Sequence, residues 1–122
     1  MKKRPEKMSL EELVASFVEI GVAQSAAAEE FRISTFNKLY DRKKLIINEL
    51  RRRDNDQRRL LIALYDHPNI QVRLNAAKST YALNTQGARA VIQAIADTKI
   101  QPWAGSAGMT LWSLDEGLGK LD

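Results

Sequence analysis

The chain has 122 residues, of which 44% are hydrophobic and 28% are charged, a composition that predicts a globular domain with a hydrophobic core. It contains no cysteine and one histidine, which excludes disulfide bonds and disfavours a zinc site. The sequence has no apolar span long enough to cross a membrane and no apolar core of a signal peptide. We therefore expect a cytoplasmic protein that does not bind membranes.

The net charge of +4 is distributed unevenly along the sequence. Residues 1–7 carry +3, residues 8–31 carry −5, residues 32–59 carry +6, and residues 60–122 are neutral overall. An acidic segment is thus followed directly by a basic one, which predicts an acidic helix lying against a basic helix.

Two long amphipathic helices are predicted in the first half of the chain. Ser9 and Glu12 form an S-x-x-E capping box at the start of the first helix, over residues 9–29. The second helix is predicted over residues 34–53, where apolar residues recur at helical spacing. Its core-facing stripe is predicted to contain Phe36, Leu39, Tyr40, Lys43, Ile47 and Leu50, with Ile46 at its edge. Because the connection is short, we expect an antiparallel hairpin.

The sequence RRRDNDQRR, residues 51–59, concentrates five arginines in nine residues. These five arginines, here called the basic corner, are Arg51, Arg52, Arg53, Arg58 and Arg59. The first three lie where the second helix ends, next to its negative dipole pole, and Asp54 or Asp56 can cap the next helix. The favoured interpretation is a solvated corner between two helices. A phosphate-binding patch and a charged edge for an acidic protein are the alternatives.

The second half of the chain repeats itself with a period of 31 residues. RRLLIALYD (58–66) aligns with RAVIQAIAD (89–97), and NAAKSTYAL (75–83) aligns with SAGMTLWSL (106–114), without a gap. A fixed period of this size is typical of stacked helical repeats. We therefore predict two helix pairs after the hairpin, which gives six helices.

The first repeat contains a proline turn between its two helices. Pro68 ends the preceding helix and Asn69 can cap the next one. His67 is interpreted as a turn residue, and Arg73 as a structural residue that binds carbonyl groups of the turn. The buried face of the following helix is predicted to contain Val72, Ala76, Ser79 and Leu83, with Leu74 and Tyr81 on the opposite side.

The second repeat contains both tryptophans of the chain. Trp103 follows a proline in a predicted loop, so it is the preferred single anchor for a binding partner. Trp112 aligns with a tyrosine of the first repeat and is predicted to pack inside the protein. Gly105 and Gly108 are predicted to allow close helix packing, and Gly117 to cap the C-terminal end of the helix.

Two resemblances support a helical-repeat fold. LLIALYDHPNIQVRLNAAKSTYAL resembles a HEAT-type repeat in its leucine-rich helix, its x-P-x-x-x-V-R turn and the two alanines after the turn. Over residues 8–117, MSLEELV, NKLYDR, DQRRLL, HPNIQVRLNAA and AGMTLWSLDEG together resemble a small bacterial family known only as a domain of unknown function. That resemblance implies an armadillo/HEAT-like α-α superhelix, and it implies no activity and no catalytic residues.

The predicted fold is all-α: an N-terminal helical hairpin is followed by two HEAT-like helix pairs in an α-α superhelix. Residues 8–117 are expected to form a single domain. Residues 1–7 are expected to form a disordered basic tail, and residues 118–122 a loose C-terminal tail.

The function is predicted mainly by exclusion. The paired carboxylates lie near helix ends or on polar faces, and GSAG at 105–108 lacks the lysine of a phosphate-binding loop. No catalytic, cofactor-binding or metal-binding residue is therefore predicted. We expect a non-enzymatic protein–protein interaction module, with an immunity- or antitoxin-like role by analogy, in which the basic corner and Trp103 contact the partner.

Nucleic-acid binding through the basic corner is the alternative function. It is disfavoured because residues 8–122 have a net charge of only +1 and because no aromatic residue lies between Tyr40 and Tyr65. Self-association is a further expectation.

Overall fold

The computed structural model describes residues 3–122 and contains only helices over that range. The five α-helices are α1 (Leu10–Glu29), α2 (Ile33–Arg52), α3 (Ile70–Thr80), α4 (Thr85–Thr98) and α5 (Trp103–Asp115). Two 3₁₀ helices are formed by Pro5–Lys7 and Gln57–Asp66. The all-α prediction is confirmed, and no helix within the described residues is long and apolar enough to cross a membrane.

The chain divides into two compact units at a boundary between Leu60 and Leu61, within the longer 3₁₀ helix. The first unit contains α1 and α2, and the second contains α3, α4 and α5. The prediction of one domain over residues 8–117 stays a prediction, because this range includes both units.

A capping box fixes the start of the hairpin in the first unit. The Ser9 hydroxyl accepts a hydrogen bond from the Glu12 backbone N–H at 3.1 Å, and the Glu12 carboxylate accepts one from the Ser9 N–H at 2.9 Å. These two bonds satisfy N–H groups that the first helical turn leaves without helical partners. The bond from the Ser9 N–H is also the main cause of a lowered pKa at Glu12. The predicted hairpin is confirmed, since α1 packs against α2.

The core of the first unit lies between α1 and α2. Its buried apolar side chains include Leu13, Phe17, Ile20, Leu39, Ile46 and Leu50. The predicted stripe of α2 was wrong at Tyr40, which is 45% exposed and lies beneath the Lys43 ammonium group at 4.7 Å. The buried side of α2 includes Ile46 and Glu49, and the Glu49 carboxylate accepts hydrogen bonds from arginines.

The segment before α1 has helical structure and is bound to the end of α2. Pro5–Lys7 form a single 3₁₀ turn. The Arg53 guanidinium donates hydrogen bonds to the carbonyl of Met8 at 2.7 Å and to that of Pro5 at 3.3 Å. The disordered tail predicted for residues 1–7 is therefore wrong for residues 5–7, and residues 1 and 2 lie outside the described part of the chain.

In the second unit, α3, α4 and α5 pack against one another. The fully buried apolar side chains of these helices include Val72, Ala76, Ala77, Ala88, Ile92 and Ala107. Leu74 is also buried, so α3 is covered on two sides, as predicted. Leu83 is 42% exposed instead of buried, because α3 ends at Thr80 before that position is reached.

Local hydrogen bonds cap the start of α3 and the end of α5 in the second unit. The Asn69 side chain accepts hydrogen bonds from the N–H groups of Gln71 and Val72 at the start of α3. Gly117 follows α5 with a φ of +71°, a conformation that glycine adopts without strain. Its N–H donates to the Leu114 carbonyl, which confirms the predicted glycine cap.

Candidate interaction surfaces

The basic corner lies at the end of α2 and in the 3₁₀ helix that follows it. Asn55 and Asp56 both have positive φ values, 66° and 49°, and they turn the chain between the two helices. The Asp56 carboxylate accepts a hydrogen bond from the Arg58 backbone N–H at 3.3 Å, so it caps the new helix as predicted.

Glu49 forms ion pairs with two arginines of the basic corner and offsets one of their two positive charges. Its buried carboxylate accepts two hydrogen bonds from Arg52, one of them 3.1 Å long, and one from Arg53. These bonds, with Arg52 as the larger cause, lower the pKa of Glu49. Arg53 also donates to two backbone carbonyls that precede α1, so its Nε and Nη2 are engaged inside the first unit.

Arg58 is a buried structural residue, not a surface cation. Its side chain is only 5% exposed, and its Nε and Nη2 donate to the two Asp56 oxygens at 2.9 and 2.7 Å. This fork-shaped pair lowers the pKa of Asp56. A buried, paired guanidinium cannot contact a partner, so the prediction that Arg58 is a binding residue was wrong.

Arg51 and Arg59 are the members of the basic corner that face solvent without a tight partner. Both are exposed, and within residues 3–122 neither guanidinium forms a hydrogen bond or an ion pair. Arg52 is also exposed, and it shares the single negative charge of Glu49 with Arg53. Within the described residues, the basic corner therefore offers a partner two arginines that form no ion pair, together with the partly offset charge of Arg52, where the sequence predicted five arginines.

Trp103 is buried, which corrects the predicted binding anchor. It is the first residue of α5 and is 6% exposed, and its indole N–H donates to the Gln71 Oε1 at 2.8 Å. The Gln71 amide in turn donates to the Asn75 Oδ1 at 2.8 Å. The repeat alignment contains a signal for this burial, because a shift of 31 residues places Trp103 on Val72, a fully buried position of α3.

Polar groups of the proline turn in the second unit form hydrogen bonds with one another. The His67 Nδ1 accepts a hydrogen bond from the Asn69 N–H at 3.0 Å. Arg73 donates to the carbonyls of His67 and Pro68 at 2.9 and 3.0 Å. The structural interpretation of Arg73 and His67 is confirmed. Within residues 3–122, no group of three or more His, Asp or Glu side chains is placed to hold a metal ion.

Two apolar side chains are held in solvent where α1 meets α2. We call Phe31 and Ile33 the hairpin tip; they are 88% and 72% exposed. The N–H of Phe31 donates to the Ala28 carbonyl and the N–H of Arg32 to the Ala27 carbonyl, which is a Schellman motif. Phe31 occupies its left-handed position, with a φ of +56°.

A second exposed apolar surface is formed by one side of α5. We call Gly105, Gly108, Met109 and Trp112 the α5 face, because their spacing places them on the same side of a helix. Met109 is 64% exposed and Trp112 is 51% exposed. The prediction that Trp112 packs inside the protein was wrong.

A groove of about 380 Å³ runs beside the α5 face. Its lining includes Lys78, Met109, Ser113 and Lys120. Burial lowers the pKa of Lys78. Nothing in the chain's own packing requires the glycine at 108, because a Cβ built there meets no atom within 4 Å. The predicted role of Gly108 in close packing within the chain was therefore wrong.

Comparisons with known proteins give a family and a fold neighbour but no activity. The family model called "Domain of unknown function (DUF2019)" matches residues 11–115. The crystal structure of the protein RPA1889 from Rhodopseudomonas palustris CGA009 is similar, with a TM-score of 0.93 and 42% sequence identity. The match covers 99% of this chain and 100% of that chain.

A search of curated proteins gives no match. The family match spans both units of the structure and most of the predicted domain, and the fold neighbour is all but equal in length. The chain belongs to the DUF2019 family, a family of domains of unknown function.

Proposed function

We propose that this chain is a non-enzymatic protein-interaction module that binds another protein through the hairpin tip. The observation that carries the proposal is the exposure of Phe31 and Ile33, 88% and 72%, at the short connection between two long helices. Burying a large apolar side chain in a partner's pocket gains about 1.5–3 kcal/mol. Two such side chains on one tip form a compact hydrophobic anchor.

The backbone at the tip supports a binding role for Phe31. The left-handed position of a Schellman motif is usually glycine, because other residues are strained there. Phe31 adopts this conformation with a φ of +56° and leaves its ring in solvent. The fold itself gains nothing from this ring, so we infer that the ring serves an external contact.

The ion pairing of two carboxylates in the first unit supports a non-enzymatic function. Glu49 is a buried carboxylate, yet arginines lower its pKa and hold it ionised, so it is a poor proton donor or base near neutral pH. Asp56 is likewise held by Arg58. These two carboxylates therefore stabilise structure and are poorly suited to proton transfer.

The 31-residue alignment supports a HEAT-like arrangement of helix pairs in an α-α superhelix, since Val72 and Trp103 are both buried at equivalent positions. We place the interaction in the cytoplasm of a bacterium, where an immunity- or antitoxin-like protein acts by occupying a protein partner.

The test is capture of the partner from a nuclease-treated lysate of the source organism. The purified full chain is immobilised, and retained proteins are identified by mass spectrometry. The Phe31→Asn, Ile33→Ser double variant should retain at least tenfold less partner, because each lost apolar contact is worth about 1.5 kcal/mol or more.

Val22→Ser is the matched control, because Val22 is an apolar residue of α1 that is 44% exposed and outside the tip. This variant should retain the partner as the wild type does. Equal capture by the tip variant and the wild type would contradict the proposal. Capture that disappears after nuclease treatment would assign the chain to nucleic acid instead.

A further inference from the structure

We propose that the α5 face binds a second copy of this chain, with the two α5 helices antiparallel. The proposal concerns a surface of the second unit and is independent of the hairpin tip. The starting observation is that Met109 and Trp112 are 64% and 51% exposed on a regular helix. Large apolar side chains adjacent on one helix face are typical of a protein interface.

The α5 face is complementary to itself in shape. Its small residues, Gly105 and Gly108, lie toward the N-terminal end, and its large residues, Met109 and Trp112, lie toward the C-terminal end. A two-fold axis between positions 108 and 109 pairs each large residue with a glycine of the second copy. Trp112 then faces Gly105, and Met109 faces Gly108. A symmetric dimer needs this kind of self-complementary surface.

Gly108 is the residue that the chain's own packing leaves unexplained. Glycine is unfavourable inside a helix relative to alanine, and a Cβ at this position meets no atom within 4 Å. The position therefore has room for alanine in a single copy. A second helix packed against the face would explain why position 108 is glycine, because glycines allow two helix backbones to approach closely.

Gly105 differs from Gly108 because the chain itself limits its size. A Cβ at Gly105 lies 2.8 Å from the Gln101 Oε1, which accepts a hydrogen bond from the Gly105 N–H. Gln101 thus occupies part of the space above Gly105, so we infer the external contact from Gly108.

Charge favours the antiparallel orientation over the parallel one. The exposed Glu116 lies just after the C-terminal end of α5, and the exposed Lys99 precedes its N-terminal end. Antiparallel packing brings the acidic end of one copy to the basic end of the other, and it also opposes the two helix dipoles. Parallel packing would place like charges together.

The size of the face predicts a weak dimer. A helix of 13 residues is about 20 Å long, and one of its sides covers less than the roughly 800 Å² per partner of a standard interface. We expect a dissociation constant of about 10–100 μM, in the range of transient complexes.

Sedimentation equilibrium of the full chain tests the interface. The wild type should form dimers as its concentration rises through the micromolar range. Trp112→Ser and Gly108→Ala should each raise the dissociation constant at least about tenfold. Gly108→Ala should also raise or preserve the thermal midpoint, because alanine favours helix, so its effect on association cannot come from unfolding. Leu83→Ser, at an exposed apolar position outside α5, is the control and should dimerise normally.

Disulfide cross-linking tests the orientation, because the chain has no cysteine of its own. A mixture of Glu116→Cys and Gln101→Cys chains should form a mixed disulfide dimer, while Glu116→Cys alone should cross-link poorly. A monomer at all concentrations overturns the proposal, and so does a dimer that neither Trp112→Ser nor Gly108→Ala weakens. Efficient cross-linking of Glu116→Cys to itself overturns the antiparallel register. A monomer that captures a different protein through Trp112 assigns the face to that protein.

Discussion

Single charged residues in the first unit serve mainly to hold backbone segments together. Arg53 joins the Glu49 carboxylate to the carbonyls of Pro5 and Met8, so one side chain connects the end of α2 to the segment before α1. Arg58 is buried against Asp56 at the turn that follows. A run of arginines that resembles a binding patch in sequence is thus, for the most part, a set of internal ion pairs.

The Glu49 ion pairs predict a pH-dependent contribution to stability. Because arginines lower the pKa of Glu49 in the folded chain, its stabilising effect is complete above the unfolded value of 4.5 and is lost as the pH falls through the lower folded value. Glu49→Gln should reduce the free energy of unfolding by about 1–3 kcal/mol at pH 7. The difference from wild type should shrink below about pH 4. Urea denaturation at both pH values measures it, with Glu19→Gln, an exposed position of α1, as the control.

The two tryptophans should differ in their contribution to stability and in their accessibility to a fluorescence quencher. Trp103→Ala should lower the free energy of unfolding by about 3–5 kcal/mol, since it empties a buried site and removes a hydrogen bond to Gln71. Trp112→Ala should lower it by only about 1–2 kcal/mol in dilute solution, because that residue is half exposed and only its buried half contributes. Urea denaturation measures both values. Iodide should quench the fluorescence of Trp103→Phe strongly and that of Trp112→Phe weakly; the reverse order would contradict these placements.

Sequence reasoning succeeded at residues whose environment is local. Ser9, Asn69 and Gly117 cap helices as predicted, because each bonds to backbone within a few positions of itself. It failed for the two tryptophans: Trp103 was predicted to be exposed and is buried, whereas Trp112 was predicted to be buried and is half exposed. Their burial depends on which side of α5 packs on neighbouring helices, and a proline beside Trp103 misleadingly indicated a loop.

At the scale of elements, the connection between α1 and α2 combines a standard helix end with an unusual residue. The two hydrogen bonds of the Schellman motif are present, but the left-handed position is Phe31 instead of glycine. The motif was not predicted because a phenylalanine carries no sequence signal for that conformation. The helix boundaries on both sides were nevertheless within one residue of those observed.

Replacing Phe31 by a residue that tolerates positive φ should stabilise the chain. A non-glycine residue in the left-handed conformation costs about 1–2 kcal/mol, and asparagine tolerates it better than phenylalanine. Phe31→Asn should therefore raise the thermal midpoint by about 2–5 °C, since the 88% exposed ring contributes little burial. Differential scanning calorimetry measures the change. Phe31→Leu should show no gain, and a lower midpoint for Phe31→Asn would mean that the ring supports the fold.

At the scale of the whole molecule, the five arginines of the basic corner overstate the number of cations that a polyanion can contact there. Three of the five arginines in the basic corner are bound to carboxylates, and only Arg51 and Arg59 remain exposed without such a partner within the described residues. Composition could not predict this, because ion pairing depends on where the carboxylates of Glu49 and Asp56 are placed.

Binding to duplex DNA should accordingly be weak and depend on few arginines. The logarithm of a DNA-binding constant falls with the logarithm of salt concentration by about 0.9 for each phosphate contacted. Arg51→Gln with Arg59→Gln should therefore reduce that slope by about 2 in fluorescence anisotropy titrations. A reduction of the slope by about 4 or more would mean that further arginines also contact DNA. That result would contradict the internal ion pairs described above.

The most direct measurement of the central claim compares the hairpin tip with the basic corner in one capture experiment. Wild type, Phe31→Asn and the Arg51→Gln, Arg59→Gln variant are each incubated with nuclease-treated lysate, and the retained partner is quantified. The tip variant should lose most of the captured protein although it is the more stable fold, and the arginine variant should retain it. If the arginine variant lost the partner and the tip variant retained it, the proposal would be contradicted. The binding site would then be assigned to RRRDNDQRR.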